Sequence, residues 1–414
     1  MYKAILVGAS INNHQMMDYY MEELENLALA SDLEILYSMT QQMKGITAKY
    51  YIGSGKVDEI KTFVDNLEAD MVVFNNELSG RQIRNLEEAI GCRVVDRTLL
   101  ILDIFAKRAK TKEAMLQVEI AQLNYLRTRL VGMTESLNKQ QGGIGSRGPG
   151  EKKLELDKRK IDHEKFMLES ELKEVVKARQ VQRKNRNRSN IKKVAIVGYT
   201  NAGKSTLLNA LIDYTNKETD KQVYVENMLF ATLETSTRLI QLDNNKEFIL
   251  TDTVGFVSNL PHNLVESFKS TLEEITEADY LIHVVDTSNH FHEQQIEVTN
   301  KTLEEIGVKD IPTLYVYNKF DMVNRDIKPI NFPNVLVSLK QTSGVETVIK
   351  FIEKELFVDY EELTLLIPYT EGDVVAYLNQ NCNVLSQEYN DEGTIMKVEL
   401  SQIQKGRHSN YIVK

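Results

Sequence analysis

One stretch of this chain runs Lys193-Val194-Ala195-Ile196-Val197-Gly198-Tyr199-Thr200-Asn201-Ala202-Gly203-Lys204-Ser205. It begins with an apolar run typical of a buried strand, and residues 206–212 after it have a helical pattern. Between them the spacing is GxxxxGKS, in the strand–loop–helix context that a phosphate-binding loop requires. We therefore predict an α/β domain with a mostly parallel sheet flanked by helices, and a nucleotide at this loop.

Different residues of this loop are expected to contact different parts of the nucleotide. Glycine lets backbone N–H groups wrap the α- and β-phosphates at a helix N-terminus, where the helix dipole favours an anion. Lys204 can reach the β- and γ-phosphates, and the Ser205 hydroxyl can ligate Mg²⁺. The predicted nucleotide contacts in this loop are Gly198, Tyr199, Thr200, Asn201, Ala202, Gly203, Lys204, Ser205 and Thr206.

A second motif closes an apolar strand pattern at residues 248–255, which ends in Asp-Thr-Val-Gly. The Asp252 carboxylate can hold Mg²⁺ through water, and the Gly255 N–H can meet the γ-phosphate. The next residue is Phe256, which can neither donate nor accept the hydrogen bonds that orient an attacking water. We therefore expect slow intrinsic hydrolysis of GTP. Faster hydrolysis would require a rearrangement of the protein, or a partner, to supply the group that orients the water.

The base specificity is predicted by Asn318-Lys319-Phe320-Asp321, which follows an apolar run at 312–317. Asp321 can accept hydrogen bonds from guanine N1–H and the exocyclic amine, which adenine cannot offer. An unmet buried polar group costs about 1–3 kcal/mol, so ATP should bind more weakly by orders of magnitude. We expect Lys319 to lie over the base and Asn318 to stabilise the loop. Backbone N–H groups of a later segment are expected to contact guanine O6, and its residues are Ser338, Leu339 and Lys340.

The length and composition of the chain limit the number of domains and the class of protein. At roughly 150 residues per domain, 414 residues indicate two to four domains. No stretch reaches the roughly 18 apolar residues of a membrane span, and the N-terminus does not resemble a signal peptide. The two cysteines, Cys92 and Cys382, have apolar neighbours typical of buried thiols. We expect a cytoplasmic protein that is a monomer when free.

Residues 1–110 are predicted to form an N-terminal α/β domain, because short apolar runs alternate there with helical patterns. Strands are expected at 4–7, 34–37, 71–74 and 93–95, and helices at 16–30, 57–67, 81–89 and 99–106. The run Gly53-Ser54-Gly55-Lys56 invites a second phosphate loop, but Val57 occupies the hydroxyl position of the motif. We prefer a tight turn before a helix.

Residues 111–190 are predicted to form an antiparallel helical hairpin with a glycine-rich tip at 142–150. Apolar residues recur at helical spacing on both sides of the tip, before it at Leu116, Ile120, Leu123, Leu126 and Leu130. Two apolar stripes can therefore bury each other. From Lys107 to Asn190 there are 21 Lys and Arg against 11 Asp and Glu, within a chain of net charge −10. This asymmetry favours a polyanionic partner, although a solvated helix surface laced with ion pairs also fits. The tip fits both a plain linker and a functional loop.

The remaining residues complete the predicted organisation. Residues 191–357 are assigned to the nucleotide-binding domain. Residues 358–414 are predicted to form a small βαββ domain, with strands at 363–367, 383–388 and 394–400 around a helix at 372–381. His290 and His292 are spaced by two with no further Cys or His nearby, which indicates a solvated loop rather than a metal site.

The whole chain resembles the HflX family of translational GTPases within the Obg–HflX group. The resemblance lies in five segments: Tyr51-Ile52-Gly53-Ser54-Gly55-Lys56, GGIGSRGPGE from Gly142 to Glu151, GYTNAGKS from Gly198 to Ser205, FATLETSTR from Phe230 to Arg238, and DTVGF from Asp252 to Phe256. Thr235 stands where the family usually has proline, and Leu339 where alanine is common.

The resemblance implies a GTPase that binds the large ribosomal subunit and splits stalled or idle ribosomes. It places Phe230 at the nucleotide, and it makes Thr232 the hydroxyl that closes on Mg²⁺ when γ-phosphate is present. The catalytic set is then Lys204, Thr232 and Gly255, and the Mg²⁺ ligands are Ser205, Thr232 and Asp252. Asn201 resembles the asparagine of GTPases that recruit K⁺. The hairpin would lie against ribosomal RNA, with RNA contacts from Lys139, Arg147, Lys152 and Lys153.

Two other functions remain open from the sequence. The hairpin could be a protein-interaction coiled coil in a regulatory GTPase, whose partner binding would depend only weakly on salt. The chain could also be an RNA-processing GTPase acting on transfer RNA, although no second catalytic constellation is visible.

Overall fold

The computed structural model describes residues 1–11, 16–137, 149–186, 191–215, 230, 236–258, 274–323 and 327–413, with the backbone alone at 131–137, 149–154 and 179–186. The chain forms two compact units. The first comprises Met1–Arg186 together with Glu226–Glu234 and Val254–Glu273. The second comprises Asn187–Val225, Thr235–Thr253 and Glu274–Lys414.

The first unit begins with alternating strands and helices. These are β1 (Tyr2–Ile11), α1 (Met17–Ala30), β2 (Leu33–Met43), α2 (Ser54–Leu67), β3 (Met71–Phe74), α3 (Gly80–Ile90), β4 (Arg93–Asp96) and α4 (Arg97–Arg108). The four strands form an all-parallel sheet in the order β2-β1-β3-β4. Apolar side chains of β1 and β3, such as Ile5 and Phe74, are fully buried in its core. The predicted α/β layer is therefore confirmed, and Gly53 is the N-cap of α2.

The long helices α5 (Lys112–Leu137) and α6 (Pro149–Arg186) form a hairpin in the same unit. Lys112 pairs with Glu171 at 2.6 Å and Arg127 with Asp162 at 2.6 Å, an order that only antiparallel helices allow. One residue departs from the predicted stripe, because Leu126 is 49% exposed. Its neighbours on α5 are buried over a wider arc since α5 also packs against α3 and α4.

The second unit is built on a six-stranded sheet. Its elements are β5 (Lys192–Gly198), α7 (Lys204–Thr215), β6 (Ser236–Gln241), β7 (Glu247–Asp252), β8 (Tyr280–Asp286), α8 (His292–Glu305), β9 (Thr313–Asn318), β10 (Asn334–Leu336) and α9 (Thr342–Leu356). The strand order is β10-β9-β8-β5-β7-β6, and every pairing is parallel except that of β6 with β7. This is the predicted mostly parallel sheet flanked by helices, and all its parallel strands end at one edge.

The second unit ends in a small α+β region, as predicted. It contains β11 (Glu361–Ile367), α10 (Gly372–Asn381), β12 (Asn383–Tyr389), β13 (Thr394–Leu400) and α11 (Gln402–Arg407). The strands form an antiparallel sheet in the order β11-β13-β12, with Leu365, Leu378 and Met396 fully buried. Both cysteines are free thiols, but Cys92 is only half-buried, unlike Cys382.

No helix among the described residues has the length and apolar character that crossing a membrane requires.

Candidate nucleotide-binding site

The phosphate-binding loop joins the end of β5 to the start of α7. Its backbone adopts conformations that are rare for residues with a side chain. Gly198 has φ 144° and Gly203 has φ 105°, both in the region that favours glycine. A Cβ at Gly198 would lie 2.3 Å from the carbonyl oxygen of Val284, and one at Gly203 would lie 2.3 Å from Nδ2 of Asn318. A side chain at Gly198 would collide with the backbone of β8, and one at Gly203 with the side chain of Asn318, so both positions require glycine. Asn201 also has positive φ, at 62°.

Lys204 is the first residue of α7 and is buried inside the loop that precedes it. Its Nζ donates to the carbonyl oxygens of Gly198 at 3.1 Å and Tyr199 at 2.8 Å. Burial lowers the pKa of Lys204 to about 8, although the nearby Asp252 carboxylate raises it. The loop thus holds a poorly solvated ammonium group, which a phosphate would stabilise.

Nucleotide binding should therefore take up a proton at alkaline pH. The phosphates raise the pKa of Lys204, so a Lys204 that is neutral in the free protein becomes charged on binding. With a free-state pKa near 8, GDP binding should take up about 0.1 proton at pH 7 and approach one proton at pH 9. Affinity should correspondingly fall above pH 8, since binding then requires protonation. Calorimetry in buffers of different ionisation enthalpy measures the uptake, and equal uptake at both pH values would contradict this origin.

Ser205, in the first turn of α7, and Asp252, the last residue of β7, bring two side-chain oxygens together. The Ser205 hydroxyl donates to Oδ2 of Asp252 at 2.8 Å, and Asp252 is fully buried. The next residue, Thr253, donates its hydroxyl to the carbonyl oxygen of Ile196 at 2.7 Å, which fastens this segment to β5. Sequence reasoning did not single out Thr253, although it lies inside the Asp-Thr-Val-Gly motif. A hydroxyl and a carboxylate at this spacing are hard oxygen donors of the kind that Mg²⁺ prefers.

Asn318 ties the predicted base-binding segments to the phosphate loop. Its Nδ2 donates to the carbonyl oxygen of Ala202 at 2.9 Å, and its Oδ1 accepts from the Leu339 N–H at 3.0 Å. Its own carbonyl oxygen accepts from the Thr287 hydroxyl at 2.6 Å and from the Thr287 N–H at 3.0 Å. Three separate chain segments therefore meet at one buried amide. Thr287 was missed from the sequence, where its position directly after an apolar run was the available signal.

The residues after Asn318 are arranged around a short 3₁₀ turn, Phe320–Met322. Lys319 has positive φ, at 61°, and its Nζ pairs with Oδ2 of Asp286 at 2.6 Å. Asp321 is exposed, as is Lys340, whereas Ser338 and Leu339 are buried. The ion pair fixes the side chain of Lys319 beside the loop. The Asp321 carboxylate lies in solvent, where a base can reach it.

His283 is a buried titratable group near the loop that the sequence analysis did not single out. It lies on β8, in register with Val197 of β5, and its ring is 5.1 Å from that of Tyr315. Burial and then the charge of Lys204 lower the pKa of His283 to about 3. The imidazole is therefore neutral near pH 7 and adds no positive charge beside Lys204. Its only sequence signal was a polar residue inside an otherwise apolar strand.

The remaining predicted contacts fall into three groups. Tyr199 and Thr200 are buried, and Thr206 is half-buried on α7. Gly255 and Phe230 belong to the first unit, where both are buried. The others have no described side chain: Thr232, Lys139 and Arg147 lie outside the described residues, and Lys152 and Lys153 are described only as backbone of α6.

Comparisons with known proteins cover almost the whole chain. Family models match residues 18–106 (GTP-binding GTPase N-terminal), 108–186 (GTP-binding GTPase middle region) and 193–319 (50S ribosome-binding GTPase). GTPase HflX of Caldanaerobacter subterraneus subsp. tengcongensis is 46% identical over 394 residues, which are 95% of this chain and 90% of that protein. This chain belongs to the HflX family of GTPases.

Other HflX relatives show the same extent of similarity. GTPase HflX of Escherichia coli K12 is 40% identical over 400 residues, covering 95% of this chain and 92% of that protein. Among solved structures, a GTP-binding protein of Sulfolobus solfataricus in complex with GDP aligns with a TM-score of 0.44 at 25% identity, over 86% of this chain and 98% of that one. As a member of the HflX family, the chain binds guanine nucleotides and hydrolyses GTP, which confirms the predicted activity.

Proposed function

We propose that this HflX-family GTPase binds the large ribosomal subunit and splits stalled or idle ribosomes, in the cytoplasm and under stress. The observation that carries the proposal is the basic hairpin of α5 and α6. The segment from Lys107 to Asn190, which contains the hairpin, holds 21 Lys and Arg against 11 Asp and Glu, while the chain as a whole has a net charge of −10. The match of residues 193–319 to a model of 50S ribosome-binding GTPases supports the same partner.

The shape of the hairpin suits a partner with deep clefts. Helix α6 has 38 residues, which at about 1.5 Å per residue is roughly 57 Å of rigid helix. Antiparallel ion pairs with α5 stiffen it, as between Arg127 and Asp162. The helices lead to a tip with five glycines among residues 142–150, where little side-chain bulk hinders close approach to RNA. The proposed phosphate contacts are Arg147 within this tip and Lys139, Lys152 and Lys153, which flank it in sequence.

The nucleotide is proposed to control this docking through an order–disorder switch. Ser205 and Asp252 would hold Mg²⁺, joined by Thr232 when γ-phosphate is present, and the ion would neutralise charge on the phosphates. Gly255 would donate its N–H to the γ-phosphate, so that both switch segments are ordered only with GTP. Asn201, exposed in the loop with positive φ, would help to recruit K⁺, and turnover should then fall when Na⁺ replaces K⁺.

The substitution Arg147→Glu tests the proposed RNA contact. A reversed charge at the tip should weaken binding to purified large subunits about tenfold at ~0.1 M salt, because it replaces a phosphate contact with repulsion. Co-sedimentation measures the affinity, and GDP affinity should be unchanged. The matched control is Lys350→Glu, the same charge reversal on α9 of the second unit, where residue 350 is exposed. Equal binding by Arg147→Glu and the unsubstituted protein, with little dependence on salt, would instead favour a protein-interaction coiled coil.

A further inference from the structure

Two adjacent residues of opposite charge are buried at the junction of β4 and α4 in the first unit. Asp96 is the last residue of β4 and the N-cap of α4, and Arg97 is the first residue of that helix. Asp96 is 0% exposed and Arg97 is 3% exposed. Neither belongs to the nucleotide site described above. Burying two charges is costly unless each is paired, and both residues have a partner of opposite charge within this unit.

Arg97 holds the segment that follows the Asp-Thr-Val-Gly motif. One guanidinium nitrogen donates to Oδ1 of Asn75 at 2.7 Å, and the other pairs with Glu23 of α1. That second nitrogen also donates to the carbonyl oxygen of Ser258 at 2.9 Å. The Ser258 N–H donates to Oε1 of Glu23 at 3.3 Å, and its hydroxyl lies 3.3 Å from that of Tyr19. Both backbone groups of Ser258 are thus held by one buried ion pair.

Asp96 holds the hairpin helix α5. Its Oδ1 accepts from the Tyr125 hydroxyl at 2.9 Å and from the Leu99 N–H at 3.0 Å, and its Oδ2 accepts from the Leu78 N–H at 3.2 Å. Asp96 also forms a salt bridge with Arg129, whose guanidinium lies over the Tyr125 ring. Tyr125 and Arg129 are both residues of α5. One carboxylate therefore fastens the start of α4 to the hairpin.

Helix α4 also makes an aromatic contact near its C-terminal end. The Phe105 ring packs edge-on against Phe230, with ring centroids 4.7 Å apart. Both side chains are buried, and Phe230 lies two residues before Thr232. α4 consequently contacts Ser258 through Arg97 and Phe230 through Phe105, while its N-cap is bound to α5.

We propose that Asp96 and Arg97 are positioning residues that couple the Gly255 segment to the hairpin. Ser258 lies three residues after Gly255, so its anchorage limits where the Gly255 N–H can be placed against a γ-phosphate. A buried ion pair resists separation, because parting it would leave two uncompensated charges. A movement of Ser258 is therefore carried to Arg97, through the rigid start of α4 to Asp96, and on to Tyr125 and Arg129. This inference rests on the proposed contact of the Gly255 N–H with the γ-phosphate, and it does not rest on the ribosomal role.

The test uses the full chain without ribosomes and compares two variants of α5. Tyr125→Phe removes one hydrogen bond to Asp96, and Arg127→Gln removes an exposed ion pair on the same helix as the matched control. Tyr125→Phe should slow single-turnover GTP hydrolysis at saturating GTP about fivefold. GDP affinity should stay within about twofold, because GDP has no γ-phosphate for Gly255 to meet. Arg127→Gln should leave both quantities unchanged.

A second variant acts on the other side of the coupling. Arg97→Lys keeps the charge but loses the forked contact, and it should slow hydrolysis and speed amide exchange of Ser258. Combined with Tyr125→Phe, its effect should be less than the product of the two single effects, since both act through one connection. A purely structural role would lower the melting temperature without this non-additivity. Wild-type hydrolysis by Tyr125→Phe, faster hydrolysis by it, or independent effects in the double variant would each overturn the proposal. If Arg97→Lys does not fold, the Tyr125→Phe result decides alone.

Discussion

The substitution Asp321→Asn should change the base preference of the site from guanine to xanthine. The Asp321 carboxylate is expected to accept hydrogen bonds from N1–H and the exocyclic amine of guanine, whereas an amide there offers a donor and one acceptor. Xanthine carries a carbonyl oxygen in place of the amine, and the amide can donate to it. With guanine the amide oxygen can still accept from N1–H, but the amide N–H faces the exocyclic amine. Two donors are then left unsatisfied, each at a cost of about 1–3 kcal/mol, which should weaken GDP binding by about 10²–10⁴.

Competition between GDP and XDP for a fluorescent nucleotide measures this exchange. The control is Asp310→Asn, because Asp310 is an exposed residue of the same unit whose φ of 59° asparagine also tolerates. The control should retain its preference for GDP. If Asp321→Asn bound GDP as tightly as the unsubstituted chain does, Asp321 would not be the residue that recognises the base.

The substitution Lys204→Met should separate catalysis from stability. Lys204 is buried with its ammonium facing two carbonyl oxygens, and burial lowers its pKa to about 8. Removing this charge should slow GTP hydrolysis by about 10²–10³, since a preorganised cation then no longer faces the developing phosphate charge. The free protein should melt at the same temperature or higher, because a methionine fills similar volume without the cost of burying a charge.

Single-turnover hydrolysis and thermal melting of the nucleotide-free protein measure the two effects. Lys193→Met is the matched control, because Lys193 lies on β5, the strand that precedes the loop, and pairs with Glu277 at 3.5 Å near the surface. It should change neither quantity greatly. A Lys204→Met protein that melts well below the unsubstituted chain would show that Lys204 supports the fold rather than the phosphates.

The parts of this molecule that the sequence predicted are those encoded by local pattern. Apolar runs located the four strands of the first sheet and the strands β5, β7 and β9 of the second, and the glycine spacing located the loop between β5 and α7. Leu126 was placed on the wrong side of its helix because a periodicity cannot show that α5 packs against α3 and α4 as well as α6. Tertiary contacts override a stripe whenever a helix has neighbours on more than one side.

The unpredicted parts of the site are contacts between residues far apart in sequence. Asn318 was expected to brace the base loop, but its bond to Ala202 spans 116 positions and depends on the strand order. The pairing of Arg97 with Ser258 spans 161 positions, and neither residue belongs to a recognisable motif. The lowered pKa of His283 follows from burial beside Lys204, which no count of residue types contains.

The most direct test of a ribosomal GTPase is steady-state GTP hydrolysis with and without purified large ribosomal subunits, at two salt concentrations. The basic hairpin predicts strong stimulation at low salt that falls steeply at high salt, as expected when Lys and Arg displace counterions from RNA phosphates. Absence of stimulation by large subunits and by whole ribosomes at either salt concentration would contradict the proposed partner, while leaving the GTPase site unaffected.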